Sequence, residues 1–324
     1  MFGYLRFILA FMVMFSHIGV KVNGLNIGVI AVVIFYILAG YVVSHLYRDI
    51  FSYKKNSFLL LYKDRLLRIL PLYLYIIFIT TLFLSITSFA NPKFEFITML
   101  NNLTIIPLNY YMYIDSTILT STTPAWNLIP PAWSLGTELQ AYILLPFAII
   151  FMRLRIFMFL VSFIIYMLAN FSILNPDYYG YRFIVGVFFI FLLGFAIQRD
   201  SKQDKIILLS IWITISLFAL IFLYKDSFSL GYTKETFIGL LIGLPIVYLL
   251  SKIKIKLPLN SILGSLSYAI FLTHFLAIWI LQYNNLSISV TTTYIIKLIL
   301  VTLFISSVGI LLVEKNRYLY NKGR

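Results

Sequence analysis

The sequence predicts an all-α, polytopic membrane protein of about ten transmembrane helices. Three observations predict it. Of 324 residues, 61% are hydrophobic and 11% charged, with a mean hydropathy of +0.96; an ordinary soluble domain carries about a quarter charged residues. The apolar residues fall in continuous runs near spanning length, not in the short alternating segments of a transmembrane barrel. The basic residues sit mostly between those runs, as topology signals do. At roughly 20 residues per span, the length leaves no room for a sizeable soluble domain, so residues 1–324 are expected to form a single integral-membrane domain.

The candidate spans are 4–20, 26–46, 69–90, 135–152, 156–174, 181–198, 206–223, 236–251, 260–281 and 294–313. Backbone groups in lipid must be satisfied internally, which makes these runs helices. The first run lacks a small-residue cleavage site after it and is expected as a retained helix. Between spans, one set of alternate connections carries 18 basic residues: Arg48, Lys54, Lys55, Lys63, Arg65, Arg68, Arg153, Arg155, Arg199, Lys202, Lys205, Lys252, Lys254, Lys256, Lys315, Arg317, Lys322 and Arg324. The other set carries six: Lys21, Lys93, Arg182, Lys225, Lys234 and Lys297. The asymmetry puts both termini in the cytoplasm and supports an even number of helices. The net charge of +14 is explained by this bias and does not indicate a nucleic-acid partner. Cysteine is absent, which removes disulfides, thiolate metal sites and a Cys nucleophile; no metal is expected. One long outer connection, 91–134, reads as structureless and rich in Asn, Thr, Tyr and Pro. Segments of that kind tend to be functional or disordered.

Ionisable groups inside spans are costly and are functional candidates by default. Arg6 and His17 lie eleven residues apart, about 1100° of rotation and within roughly 20° of three full turns, so they share a face at about 16 Å separation. Glu138 opens the fourth span, about 22 Å above the cytoplasmic edge, near the expected depth of His17. It can favour the helix N-terminus or orient an imidazole. His274 follows Ser267 by seven residues, and a polar contact between helices is as good a reading as catalysis. His45 reads as structural. Arg182 and Lys297 sit near span ends and can snorkel. Arg65 and Arg68, spaced i and i+3 before the third span, share a helix face and suit bidentate phosphate binding, beside their role as inside charges.

These residues resemble the acyltransferase 3 family of integral-membrane acyltransferases, many of which O-acetylate bacterial surface polysaccharides. Arg6 and His17 match its Arg-x10-His pattern, and Phe35 to Tyr41 resembles its F-F-x-x-S-G-F element. Arg65 to Pro71 is similar to R-x-x-R-I-x-P, Trp133 to Glu138 to W-S-L-x-x-E, and Leu266 to His274, with Ser267 and Tyr268, to L-S-Y-x-x-Y-L-x-H. Five elements in order cover most of the chain. Ala39, Leu139 and Phe271 depart from the usual Ser, second carboxylate and Tyr.

The resemblance implies transfer of an acyl group, most often acetyl, from cytoplasmic acyl-CoA to a hydroxyl of a polysaccharide or lipid-linked glycan. The setting would be a bacterial inner or plasma membrane. Acetyl-CoA is then a co-substrate with no bound cofactor, and the partners are acyl-CoA, the glycan acceptor and the bilayer. In this reading Arg6, Arg65 and Arg68 bind acyl-CoA. His17 is the general base, and Glu138 sets its tautomer or holds the sugar. Trp133, Ser134, Ser267, Tyr268 and His274 have substrate or structural roles. A covalent route would need His17 itself or a Ser such as Ser16. The extracytoplasmic hydrolase-like domain that some members append is not expected. The rival reading is a transporter or flippase of a glycan or lipid-linked sugar, although no internal repeat of the kind common in secondary transporters is apparent.

Overall fold

The computed structural model describes residues 1–224, 231–253, 255 and 257–322, with side chains through residue 313. Lys225, Lys254, Lys256 and Arg324 of the basic-residue count lie outside the described residues, as do the side chains of Lys315, Arg317 and Lys322. The chain is an all-α, polytopic membrane protein. Among the described residues nine helices are long and apolar enough to cross a bilayer, and a tenth apolar helix, α1 (Phe2–Ser16), is shorter. The nine are built on α2 (Ile27–His45), α3 (Ser57–Thr87), α5 (Ala132–Ile150), α6 (Met152–Asn170), α7 (Ile184–Arg199), α8 (Lys202–Tyr224), α9 (Thr233–Lys252), α10 (Asn260–Tyr283) and α11 (Thr292–Lys322), while α4 (Phe96–Thr104) is too short to span.

Several segments differ from expectation. α3 begins at Ser57, not 69, because Lys, Arg and Leu are strong helix formers and nothing between Ser57 and Arg68 breaks the helix. Arg65 and Arg68 are therefore helical residues. The 91–134 connection is not structureless: it contains α4 and a 3-10 turn, Ile106–Tyr110. The backbone of α11 stays helical to Lys322, beyond the expected end at 313.

The chain divides into two compact units. The first comprises Lys21–Arg65 and Thr137–Lys256, with Met1. Its centre is α2, apolar around its whole circumference and buried accordingly. Asn26 caps it, accepting from the backbone of Gly28 (3.0 Å) and Val29 (3.4 Å). α2 packs on α7 and α9. At the α2–α7 crossing the backbones touch: a Cβ on Gly40 would strike the Phe191 carbonyl, and one on Gly194 would strike the Ile37 carbonyl and the Tyr41 amide. In α9, Gly239 and Gly243 form a small-xxx-small stripe, where a Cβ would come within 2.8 Å of the Val33 side chain and 2.9 Å of that of Ile34. Between α7 and α8, Asp204 accepts from Arg199 Nε at 2.6 Å. It also exchanges backbone caps with Ser201 (3.1 and 3.2 Å), a capping box built with Asp. Asp200 beside it pairs with Lys252 and, at 3.6 Å, with Lys205.

The second unit comprises Phe2–Val20, Leu66–Gly136 and Leu257–Arg324. Here α1 and α11 both pack on α10, and the hydroxyls of Thr273 and Ser306 meet at 2.8 Å. The 88–131 connection is folded by a fully buried asparagine. Asn102 donates to the carbonyls of Thr98 and Ser116 (both 2.8 Å) and accepts from Leu128 N (2.9 Å). Its own carbonyl receives the Tyr73 hydroxyl from α3 at 2.6 Å. A buried amide with its donors and acceptor satisfied pins one conformation, because any other arrangement strands polar groups.

Candidate active site

The site is built at the end of α1. The His17 N–H still donates to Val13 O (3.3 Å) and Met14 O (3.2 Å), so His17 closes the helix. Gly19 stops it: its φ of 90° is a left-handed conformation that Gly adopts without penalty. The bonds Val20 N to Phe15 O (3.1 Å) and Gly19 N to Ser16 O (3.2 Å) complete a Schellman cap. The helix thus ends short of the expected residue 20, with His17 on its last turn. The Ser16 hydroxyl is turned back onto Val13 O at 2.7 Å.

Across from it stands α10. His274 Nε2 lies 3.0 Å from His17 Nδ1, and His274 Nδ1 lies 3.0 Å from its own helix carbonyl, Ile270 O. The imidazoles are 18° from parallel with centroids 5.0 Å apart. Their burial differs sharply: His274 is 0% exposed, whereas His17 is exposed. Phe275 packs on both rings, at 4.8 Å from His17 and 5.2 Å from His274, and Trp126 of the long connection packs on Phe275 at 5.3 Å.

The register that brings the histidines together is set at the other end of the two helices. Gly3 N donates to Asn260 Oδ1 at 2.9 Å, and the Tyr4 hydroxyl donates to Pro258 O at 2.7 Å. Gly3–Asn260 and His17–His274 share the sequence offset of 257. α1 and α10 therefore run parallel in constant register over two heptads, about 21 Å. A Cβ on Gly3 would collide with the Asn260 carbonyl, so only glycine permits this approach. Asn260, Ser267 and His274 recur every seven residues along α10.

The remaining expected residues fall as follows. In the second unit, Arg6 is half-buried on α1, one turn beyond Gly3. Arg68 Nη2 reaches Gly264 O at 3.4 Å, and the Gly264 position is in contact with Gly3, so α1 and α3 bring Arg6 and Arg68 to one end of α10. Ser267 donates to Gly264 O (2.9 Å) and Tyr268 to Ile69 O of α3 (3.0 Å), which gives both hydroxyls structural bonds. Ser134 is buried and donates to Pro131 O at 3.0 Å, while its neighbour Trp133 is half-buried.

In the first unit, the Tyr142 hydroxyl donates to Glu138 Oε1, one helical turn away. The Arg65 guanidinium lies over the Tyr142 ring at 5.8 Å and is held by Asp64 (Nε 3.0 Å, Nη2 2.5 Å). Tyr142 therefore links Arg65 to Glu138. Arg182 does not simply snorkel: it bonds Asp177 (2.7 Å) and lies over Tyr181 (5.3 Å) and Tyr232 (5.8 Å). His45 pairs with Asp49 at 2.7 Å.

Sequence reasoning missed Tyr142, Asn260, Trp126 as a neighbour of the histidines, and Phe275. The i, i+4 spacing from Glu138 and the fourteen-residue, two-heptad spacing from His274 were signals for the first two. Phe275 is one of 30 phenylalanines and carries no signal.

An exposed imidazole held by a buried one can accept a proton from a substrate. A family model described as an acyltransferase domain matches residues 2–313. An uncharacterized protein of Aquifex aeolicus (strain VF5) is 47% identical over 223 residues, which are 64% of this chain and 98% of that protein. No solved structure matches the chain.

Proposed function

We propose that this chain, which belongs to the acyltransferase 3 family and is a multi-pass membrane acyltransferase, moves an acetyl group from cytoplasmic acetyl-CoA to a hydroxyl of a cell-surface polysaccharide or lipid-linked glycan. Its place is a bacterial inner or plasma membrane with both termini in the cytoplasm, as the basic-residue asymmetry supports. The observation that carries the reading is the exposed His17 imidazole held at the end of α1 by His274. His17 takes the proton of the acceptor hydroxyl as its oxygen attacks the thioester carbonyl. The C–S bond then breaks, and the proton passes to the leaving thiolate, giving ester and free CoA. Imidazole suits both transfers because its ordinary pKa lies near neutrality.

CoA is polyanionic. Arg6 and Arg68, at one end of α10, supply fixed positive charge, and Arg65 adds a guanidinium. Guanidinium groups bind phosphate through paired donors. Of the two roles expected for Glu138, setting the His17 tautomer or holding the sugar, we propose the second, through its carboxylate on α5. The test is acetyl transfer from labelled acetyl-CoA by the purified chain in lipid, with bacterial glycan supplied as acceptor. Label appearing as base-labile ester on glycan is the expected result. No consumption of acetyl-CoA by folded protein, with or without glycan, overturns it.

A further inference from the structure

We infer that His274 is a positioning residue that fixes the tautomer of His17 and so assigns the base to His17 Nε2; this rests on His17 being the general base. The argument begins with Ile270 O, a carbonyl that can only accept. Its 3.0 Å contact with His274 Nδ1 therefore requires the proton of His274 on Nδ1. A neutral imidazole carries one N–H, so the lone pair of His274 is on Nε2. That atom lies 3.0 Å from His17 Nδ1, and the bond forms only if His17 brings the proton. The neutral His17 ring then has its lone pair on Nε2.

The chain of donors thus runs from His17 Nδ1–H to His274 Nε2, and from His274 Nδ1–H to the α10 backbone. In hydrolase triads a carboxylate holds the Nδ1–H of the base and fixes its tautomer. Here a second, fully buried histidine takes that position. When His17 Nε2 accepts the hydroxyl proton, the bond to His274 becomes charge-assisted and strengthens. No proton needs to pass on to His274 for the reaction to balance. The Phe275 ring against both imidazoles holds their planes, and the Gly3–Asn260 contact two heptads away holds their depth.

The test reads the tautomer directly. The sequence has three histidines, so nitrogen-15 histidine labelling of the full chain in nanodiscs gives an assignable spectrum, with His45→Ala and His17→Ala identifying the resonances. Protons on Nδ1 of both His17 and His274, and none on His274 Nε2, are expected. A proton on His274 Nε2, or none on His17 Nδ1, overturns the inference. A kinetic arm separates positioning from packing. His274→Phe keeps a ring but removes the acceptor, and kcat should fall at least about ten- to a hundred-fold, the range for partners that orient a metal-bound imidazole, and up to about ten-thousand-fold as in a triad with the wrong tautomer, with KM for acetyl-CoA unchanged. His274→Gln places a carbonyl oxygen near the lost Nε2 and should restore most of kcat. Full kcat in His274→Phe, or no recovery in His274→Gln, refutes the role. If His17→Ala keeps its turnover, the base reading fails whatever the tautomer is. A wrong tautomer in a chain that His17→Ala inactivates fails this inference alone.

Discussion

Replacing Gly3 by Ala tests whether the far end of α1 governs the chemistry at its near end. The added Cβ would fall on the Asn260 carbonyl oxygen, an atom fixed in the first turn of α10, so α1 must withdraw or slide. Restoring ordinary van der Waals contact needs a displacement of about 1.5 Å. The same displacement carried along a stiff helix lengthens the 3.0 Å His17–His274 bond to about 4.5 Å, beyond hydrogen-bonding range. Misplacement of a catalytic group by about 1 Å can cost about a hundred-fold in rate, and kcat for acetyl transfer should fall by about that much. Gly264→Ala is the control at the same end of the same helix pair. Its Cβ meets only Gly3 Cα, at 3.7 Å, an ordinary contact, so its kcat should stay within a few-fold of wild type. The assay is acetyl transfer in nanodiscs, with thermal melting to establish that both variants are folded. Equal kcat in folded Gly3→Ala and Gly264→Ala would refute the register argument.

Three further outcomes are expected. Gly40→Ala and Gly194→Ala each force a methyl into backbone at the α2–α7 crossing; overpacking costs about 1–3 kcal/mol, and both should lower the melting temperature in detergent, whereas a small residue at either site with unchanged melting would contradict the crossing. Arg65→Ala with Arg68→Ala should weaken acetyl-CoA binding about ten-fold or more, since each charged hydrogen bond contributes about 1.5–3 kcal/mol, and Lys at both positions should restore it only partly; calorimetric titration measures this, and unchanged affinity returns the pair to topology signals. The Lys252 partner, with Lys205 beyond it, holds the Asp200 carboxyl below its ordinary range. A depressed folded-state pKa means that this stabilisation is present above the ordinary carboxylate pKa and is lost on acidification through the lowered value. Asp200→Asn should therefore flatten the acid limb of a melting-temperature profile, and an unchanged limb would show that the pair is inert.

The helical architecture was legible because lipid leaves the backbone few choices, so length and hydropathy suffice to find the spans. The Arg6–His17 face was legible for a similar reason: eleven residues fix an angle on any helix. Helix ends were less so. Charge marked 47–68 as a loop, yet charged residues such as Lys63 and Arg65 favour helix and α3 begins at Ser57. The cap at Gly19 depended on backbone bonds that the apolar run 4–20 conceals. Asn102 was invisible as an organiser because its partners, Ser116 and Leu128, are remote in sequence. The pairing of His17 with His274 spans 257 residues. The seven-residue spacing of Ser267 and His274 marked a polar contact between helices, but only the fold shows which helix lies against α10.

The central claim is that His17 is the base of acyl transfer. Its most direct test is acetyl transfer to glycan by folded His17→Ala protein in membranes, measured beside acetyl-CoA binding. A loss of about a hundred- to ten-thousand-fold in kcat with binding retained is predicted. Turnover near the wild-type rate in that variant would contradict the account.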